Sequence, residues 1–367
     1  MAICDHNAIL PSLLPLMMKH MKIVVIGPAW VGDMVMSQSL YRLLKQQHPD
    51  ALLHVMAPGW CLPLLERMPE VDRAIKMPLG HGELQLAARW RLGRTLKAEG
   101  YDWALILPNS LKSALIPLFA GIPRRTGWKG ESRYGLLNDL RSNKRDFPLM
   151  VQRYMALAFA KAQMTSATAL PAIPHPALRV DRAQQDQARI RLGLSSQAPV
   201  LGLCPGAEFG PAKRWPETYY ANIAERWCAK GGQVWIFGSA KDGDVAHSIL
   251  NQLSPTAQGQ CQILAGQTSL TEAIDLLAAC DAAVCNDSGL MHITAAVGTP
   301  LVAVYGSTST AYTPPLSTKV ETVQTDINCR PCFKRECPLG HLKCLKELDP
   351  KLVWNALIRL QPEIQTD

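Results

Sequence analysis

A short polar stretch between two apolar runs carries the residues best suited to bind an anion. Asn286-Asp287-Ser288-Gly289 follows the apolar run 282–285 and precedes an apolar-periodic run that ends at Gly298-Thr299-Pro300. Turn-forming residues followed by helical spacing predict a strand, a loop and a helix that begins in the loop. The first N–H groups of such a helix and its dipole favour a phosphate, and His292 would face the same anion. The residues also fit a simpler role, in which Asp287 or Ser288 caps the helix and His292 only packs in its first turn.

Further polar residues follow other predicted strands in the same half of the chain. Lys213 comes after the strand predicted at 200–203, where an ammonium group could neutralise a diphosphate leaving group. Asp242 follows the strand predicted at 234–237 and could accept hydrogen bonds from ribose hydroxyls, and Thr268 precedes the next helix. Each has a plain alternative, with Lys213 as a surface lysine and Asp242 and Thr268 as helix caps.

Strands alternate with helices along most of the chain, in two series separated by the proline-containing stretch 165–176. This alternation predicts two α/β domains with parallel, doubly wound sheets and a cleft between them. We place the domains at 21–175 and 176–348, with a final helix and tail at 349–367. Ligands bind outside the carboxyl ends of parallel strands. In the first domain those ends carry Asp33, Asn109, Ser110 and Lys112.

The positive charge of the chain lies in its first half. Residues 1–175 hold 21 Lys and Arg against 12 Asp and Glu, and residues 176–367 hold 17 against 18. A basic cluster lies between 124 and 145, and it consists of Arg124, Arg125, Lys129, Arg133, Arg141, Lys144 and Arg145. Such a surface favours an anionic partner, although an ordinary solvated face has the same composition. The cluster carries no signature of a nucleic-acid module, which argues against DNA or RNA.

Length and hydrophobicity predict a globular protein. Of the 367 residues 48% are hydrophobic, and no apolar run reaches the roughly 18 residues that a membrane-spanning helix needs. Residues 1–20 lack the positive charge that precedes the apolar part of a signal peptide, so we expect a disordered extension there. Gly27 and Gly32 do not form the G-x-G-x-x-G fingerprint, which argues against a nicotinamide dehydrogenase.

The stretch from Asp287 to Pro300, D-S-G-L-M-H-I-T-A-A-V-G-T-P, closely resembles the nucleotide-sugar diphosphate motif of glycosyltransferase family 9. This family comprises the bacterial ADP-heptose:lipopolysaccharide heptosyltransferases, and the resemblance covers nearly all of the chain from Met21 onward. It implies an α/β architecture of the GT-B type, in which two Rossmann-like domains face each other across a cleft. The N-terminal domain of that fold holds the acceptor and the C-terminal domain holds the ADP-sugar.

The resemblance also implies roles for single residues. The family's D-[ST]-G-x-x-H motif matches Asp287, Ser288, Gly289 and His292 as donor-binding residues, and its K-x-W-P-E motif places the phosphate-contacting lysine at Lys213. The family's catalytic base matches Asp33. The nucleoside contacts match Asp242 and Thr268 less cleanly. A carboxylate can take the proton of an attacking sugar hydroxyl, and a single displacement would invert the anomeric carbon without a cofactor or metal ion.

Four segments, at 25–34, 108–114, 125–139 and 329–341, look like those of family members that add the second heptose of the inner core. The implied reaction moves L-glycero-D-manno-heptose from ADP-heptose to the first heptose of a phosphorylated lipopolysaccharide core. The expected location is cytoplasmic, with peripheral, electrostatic contact at the inner face of the inner membrane. The acceptor side would consist of Asn109, Ser110, Lys112, Arg124, Arg125, Lys129 and Arg133.

Two alternatives stay open. The closer alternative is that the chain acts on Kdo, as other members of the family do. A non-catalytic protein that binds a nucleotide sugar or an anionic lipid is the other, but a binding protein has no need of a carboxylate at the position of Asp33.

Cysteines near the C-terminus form the pattern C-x2-C-x4-C-x6-C, made of Cys329, Cys332, Cys337 and Cys344. Four thiolates can ligate Zn²⁺. The intervals are not those of a familiar zinc ribbon, and the resemblance implies no required metal, so we expect reduced thiols.

Overall fold

Two parallel six-stranded sheets with flanking helices make up the computed structural model, which describes residues 20–80, 83–195 and 197–365. The predicted α/β class with two doubly wound domains is confirmed by this arrangement. The disorder predicted for residues 1–20 falls, apart from His20, outside the described residues. No helix in the described ranges is long and apolar enough to cross a membrane.

The first domain is organised around a central strand of β-branched residues, Ile23-Val24-Val25-Ile26, which is buried on both faces. Its sheet has the order β3-β2-β1-β4-β5-β6, with all neighbours parallel. The strands are β1 (Lys22–Ile26), β2 (Leu52–Pro58), β3 (Arg73–Met77), β4 (Trp103–Ile106), β5 (Arg124–Trp128) and β6 (Asp139–Arg141). The helices are α1 (Val31–Gln47), α2 (Leu62–Leu65), α3 (Leu86–Lys97), α4 (Leu111–Phe119) and α5 (Met150–Met155).

The second domain repeats this plan, with strand order β12-β11-β10-β7-β8-β9 and parallel neighbours throughout. Its strands are β7 (Val200–Cys204), β8 (Gln233–Ile236), β9 (Cys261–Ile263), β10 (Ala282–Asn286), β11 (Leu301–Tyr305) and β12 (Val320–Gln324). Its helices are α6 (Arg182–Leu192), α7 (Glu217–Ala229), α8 (Gly243–Leu250), α9 (Pro255–Gln258), α10 (Leu270–Leu277), α11 (Gly289–Ala296), α12 (Lys343–Lys346) and α13 (Pro350–Leu360). The last of these packs on the second sheet and buries Val353, Ala356 and Leu357 in its core.

Helices α1 and α11, from different domains, meet directly through two glycines. A Cβ atom on Gly32 would lie 2.8 Å from Cδ2 of His292, and one on Gly289 would lie 3.0 Å from Cβ of Val31. Both distances are shorter than ordinary carbon–carbon contacts, so the two helices approach this closely only because both positions lack side chains. Buried apolar residues of both domains form one continuous cluster around this contact. The amino ends of the two helices are therefore held side by side.

A buried ion pair joins the domains beside the linker. Arg67, just after α2, donates from its two terminal nitrogens to the two carboxylate oxygens of Asp275 on α10, at 2.9 and 2.7 Å. The Asp275 side chain is fully buried and also accepts from the backbone N–H of Asp181 at 2.8 Å. Arg67 donates in addition to the carbonyl of Arg179 and to the side chain of Gln184. The pair has complementary geometry and satisfied partners, which a buried pair needs to be stable.

We expect Asp275→Ala to lower the free energy of unfolding by about 3–5 kcal/mol, because it leaves the buried guanidinium of Arg67 without its counter-charge. Urea-induced unfolding followed by tryptophan fluorescence measures the change. Arg191→Ala is the matched control, since it removes an ion pair with Glu272 whose arginine side chain is half exposed, and a loss of at most about 1 kcal/mol is expected there. Equal effects of the two substitutions would contradict a stabilising role for the buried pair.

Candidate active site

Asp33 lies in the first turn of α1, where β1 ends and the second domain approaches. The residue that precedes the helix is Trp30, so Asp33 is not the cap of this helix. Burial raises the pKa of the Asp33 carboxyl to about 6, a hydrogen bond with Tyr154 and the charge of Lys213 oppose this rise, and Asp287 adds to it. A carboxyl with a pKa in this range is ionised at neutral pH and is a stronger base than an ordinary aspartate. The site therefore contains one group suited to accept a proton.

Lys213 is held in place by a buried hydrogen-bond network. Its ammonium group lies 2.6 Å from Oδ2 of Asp287, and the hydroxyl of Thr308 donates to the same oxygen at 2.5 Å. The Lys213 side chain is only 14% exposed and that of Asp287 only 3%, so the lysine is a fixed cation and not a mobile surface group. The ammonium also lies 5.0 Å from the centre of the Phe209 ring. This network places one oriented positive charge at the carboxyl end of the second sheet.

Neighbouring residues in the turn before α11 have different roles. Ser288 is the cap, accepting from the backbone N–H of Met291, while the carboxylate of Asp287 binds Lys213 and Thr308. His292 is buried against Gly32, and burial lowers its pKa to about 4, Asp287 opposing the effect and Lys213 adding to it. His292 is consequently neutral at pH 7. The positive charge facing an anion here comes from Lys213 and from the helix dipole.

The two domains place their polar groups in one site. The charges of Lys213 and Asp287, in the second domain, act on the carboxyl of Asp33 in the first. His292 touches Gly32, the residue next to Asp33. A proton acceptor and an anion-stabilising cation therefore face each other where α1 meets α11, which is the arrangement that displacement of a phosphate leaving group requires.

Thr308 is a member of this network that sequence analysis did not single out. It belongs to Gly306-Ser307-Thr308, directly after β11. A sequence signal for Thr308 was available, because polar residues at the carboxyl end of β11, the neighbour of β10, are placed where ligands bind in a parallel sheet.

Asp242 and Thr268 lie at the carboxyl ends of neighbouring strands, after β8 and β9. The Asp242 carboxylate accepts from the backbone N–H and the hydroxyl of Ser239, at 2.8 and 2.7 Å. It also fills the space beside Gly206 and Gly238, where a Cβ would come within 2.8 Å of it. Ser269, not Thr268, caps α10. Contact of Asp242 and Thr268 with a nucleoside stays a prediction.

The polar loops after β4 and β5 meet at the carboxyl ends of these two strands. Gly130 packs so closely on the carbonyl of Asn109 that a Cβ would lie 2.2 Å from it. The backbone N–H of Glu131 donates to that carbonyl at 3.2 Å. Lys129 and Asn109 are exposed, and Ser110 and Lys112 are partly exposed at the start of α4. Contact of these four residues with an acceptor stays a prediction.

Three arginines predicted to bind the acceptor are instead occupied by partners within the protein. Arg124 lies 3.9 Å from the centre of the Trp103 ring and pairs with Asp139 at 3.3 Å. Arg125 donates to the carbonyls of Ile122 and Leu136. Arg133 is 1% exposed and donates to the carbonyls of Pro108 and Trp128. The positions of Arg124, Arg125 and Arg133 thus give no support to their predicted contacts, because their guanidinium groups satisfy the carbonyls and the carboxylate of the loops around β5 and β6.

Four cysteines, Cys329, Cys332, Cys337 and Cys344, have free thiols and line one small cavity together with His341. In the described part of the chain, no group of three or more His, Cys, Asp or Glu side chains is arranged to hold a metal ion.

Known proteins resemble this chain over most of its length. The sequence profile of "Glycosyltransferase family 9 (heptosyltransferase)" matches residues 89–343. Lipopolysaccharide heptosyltransferase 2 of Escherichia coli K12 is 51% identical over 339 residues, covering 92% of this chain and 97% of the relative. Lipooligosaccharide heptosyltransferase 2 of Haemophilus influenzae is 56% identical over 308 residues, covering 83% and 88%. Lipopolysaccharide heptosyltransferase 1 of Pseudomonas aeruginosa is more distant, with 28% identity over 254 residues, 67% of this chain and 66% of the relative.

The solved structure of E. coli ADP-heptose lps heptosyltransferase II superposes with a TM-score of 0.85 at 49% identity, covering 94% of this chain and 99% of that chain. The likeness extends over nearly the whole of both chains and confirms the expected GT-B fold. With the family profile covering more than half of the sequence and curated relatives at 51% identity or more, this chain belongs to glycosyltransferase family 9, the heptosyltransferases.

Proposed function

We propose that this chain transfers L-glycero-D-manno-heptose from ADP-heptose to the first heptose of the lipopolysaccharide inner core, with inversion at the anomeric carbon. The observation that carries the proposal is that Asp33 of the first domain and Lys213 of the second lie close enough, where α1 contacts α11, for the charge of Lys213 to lower the pKa of the Asp33 carboxyl. One group can activate a hydroxyl, and the other can neutralise a departing diphosphate.

In this mechanism Asp33 acts on the acceptor. A sugar hydroxyl is a weak nucleophile, and its oxygen attacks the anomeric carbon as the carboxylate of Asp33 takes its proton. The carbon–oxygen bond to the diphosphate breaks on the opposite side, so one displacement inverts the configuration. Burial, which raises the pKa of Asp33 to about 6, strengthens it as a base.

Lys213 and the amino end of α11 act on the leaving group. The departing ADP gains negative charge, which a fixed ammonium and a helix dipole stabilise without reorganising. The carboxylate of Asp287 orients the ammonium of Lys213, and the hydroxyl of Thr308 donates to the same carboxylate oxygen. In this proposal the charge is neutralised by residues of the chain, so no cofactor or metal ion takes part.

We place the phosphorylated acceptor against the loops after β4 and β5, with Asn109, Ser110, Lys112 and Lys129 as its contacts. Their exposure and the excess of Lys and Arg in residues 1–175 support this side of the cleft. We further propose that the protein works at the cytoplasmic face of the inner membrane through peripheral, electrostatic contact. Its partners would then be ADP-heptose, the core lipid and an anionic membrane surface, with no nucleic acid.

The acceptor is tested by ADP release from ADP-heptose with two core lipids, one ending in Kdo and one carrying a single heptose. We expect turnover only with the heptose-bearing lipid, since heptosyltransferase 2 of E. coli K12 and of H. influenzae are 51% and 56% identical to this chain, whereas heptosyltransferase 1 of P. aeruginosa is 28% identical. Turnover with the Kdo lipid alone would reassign the acceptor. Tight donor binding without ADP release from either lipid would favour a non-catalytic nucleotide-sugar protein.

The pH dependence of kcat/KM should show an acidic limb near pH 6. Below the pKa of about 6 the Asp33 carboxyl is protonated and cannot accept the acceptor's proton, so kcat/KM should fall about tenfold per pH unit. Above that pH the carboxylate is ionised and the rate should level off. A profile that stays flat from about pH 7 down to about pH 5, within the range where an unperturbed aspartate remains ionised, would contradict the raised pKa.

A further inference from the structure

The segment 325–342, which we call the cysteine loop, lies against both sides of the Lys213 network. The carbonyl of Arg335 accepts from the backbone N–H of Ala212 at 3.0 Å, next to Lys213. The backbone N–H of Phe333 donates to the carbonyl of Ser307 at 2.8 Å, next to Thr308. A Cβ on Gly210 would lie 2.5 Å from the carbonyl oxygen of Arg335, so the loop is in direct contact with the chain that leads to Lys213.

The side chain of Arg330 adds further hydrogen bonds that hold the cysteine loop in this position. The guanidinium of Arg330 donates to the carbonyls of Gly306, Thr308 and Thr325, at 2.9, 3.0 and 2.9 Å. These bonds join the loop to the end of β11, where Thr308 contacts Asp287. The loop therefore has a defined position relative to the network, although it contains neither helix nor strand.

Arg335 brings a second positive charge to the same place. Its guanidinium carbon lies 5.4 Å from the centre of the Phe209 ring, and the ammonium of Lys213 lies 5.0 Å from that centre. Lys213 is neutralised by Asp287, whereas within the described ranges no carboxylate pairs with Arg335. Arg335 is exposed. Two cations therefore lie beside the Phe209 ring, and the charge of Arg335 is not balanced by a carboxylate in the described ranges. An anion would stabilise this arrangement.

We propose that Arg335 is a second cation of the donor site and binds the diphosphate of the nucleotide sugar together with Lys213. This inference rests on the proposed function and extends it to a residue outside the motifs that define the site. A diphosphate carries charged oxygens on two phosphorus atoms, so one can contact the ammonium and the other the guanidinium. The planar fork of an arginine suits two oxygens of one phosphate. The second domain carries Phe209, Lys213 and Arg335 alike, which places this charge on the donor side and not against the acceptor.

The test is binding of inorganic pyrophosphate and of ADP, measured by calorimetry on the full chain. Arg335→Ala should raise the dissociation constant of both by about ten- to a hundredfold, the range expected for one hydrogen bond to a charged group. Lys334→Ala is the matched control: it removes an exposed neighbouring cation that makes no contact with Phe209 among the described residues, and its affinity should stay within about twofold of the unaltered chain. Arg335→Lys keeps the charge without the fork and should fall between the two.

Pyrophosphate separates this inference from the function on which it rests, because its binding does not depend on heptose transfer. Weaker pyrophosphate binding by Arg335→Ala alone supports the role of Arg335, whether or not the chain transfers heptose. Equal affinity of the unaltered chain and Arg335→Ala overturns it. So does a rise in the KM of the core-lipid acceptor with unchanged ADP affinity, since that result would move the guanidinium to the acceptor.

Discussion

Replacement of Asp33 by Asn should lower kcat by about 10²- to 10⁴-fold, the range that a positioned general base contributes. The amide has nearly the shape of the carboxylate but cannot take the acceptor's proton. ADP-heptose affinity should change little, because the proposed diphosphate contacts belong to the second domain. Initial rates of ADP release at saturating acceptor, together with calorimetric donor binding, measure both effects. The acidic limb of the pH profile should disappear in the same variant.

Asp186→Asn is the matched control, since it makes the same chemical change at an exposed position of α6, and it should leave turnover unaltered. Near-normal turnover in the Asp33 variant would remove Asp33 from the chemistry. Trapping a glycosyl group covalently attached to the protein would replace the single displacement with a two-step mechanism.

Replacement of Lys213 by Met should lower kcat by about 10²- to 10³-fold, comparable with the loss of one preorganised donor to a developing anion. It should also weaken ADP binding, because in the proposed mechanism the ammonium faces the diphosphate before and after transfer. Lys241→Met is the matched control: Lys241 is exposed and, among the residues that the structure describes, its ion pair is with the exposed Glu208. Steady-state rates and ADP affinity of the two variants give the comparison.

The Lys213 substitution leaves the buried carboxylate of Asp287 without its counter-charge, so its thermal unfolding has to be recorded beside its activity. Lys213→Arg retains a cation and should recover part of the lost kcat. If the arginine variant is as stable as the unaltered chain and the methionine variant keeps full activity while folded, Lys213 has no part in stabilising the leaving group.

Much of the fold follows from local sequence, because parallel strands buried on both faces are continuous apolar runs. Val24 and Val25 in β1 and Val284 in β10 lie in such runs, and both strands form at the centres of their sheets. Two of the edge strands, β6 and β12, are different. Sequence analysis assigned no strand to 139–141 or 320–324, and β6 and β12 are indeed short or partly exposed. Their pairing is decided by the neighbouring strand and not by their own composition.

The core of the candidate site was predictable for a related reason: its residues sit in turns directly after central strands. Asp287 lies in the turn before α11, and Asp33 and His292 lie in the first turns of α1 and α11. The structure brings the three residues together. The internal partners of the arginines were not predictable. The composition of a segment shows that it is basic, but it does not show which groups its guanidiniums contact. Arg133 is buried and bound to two carbonyls, a state that only tertiary structure reveals.

The contact of Gly32 with His292 has a consequence for how the enzyme should respond to ionic strength. The helices α1 and α11 meet through carbon atoms and a neutral imidazole, so in the described part of the chain the spacing between Asp33 and the second domain does not depend on an exposed ion pair at this contact. Dissolved salt screens charges over about 10 Å at 0.1 M, but it leaves van der Waals contacts unchanged. Added salt should therefore weaken capture of the anionic donor and lipid, raising their KM values, while kcat at saturation stays nearly constant.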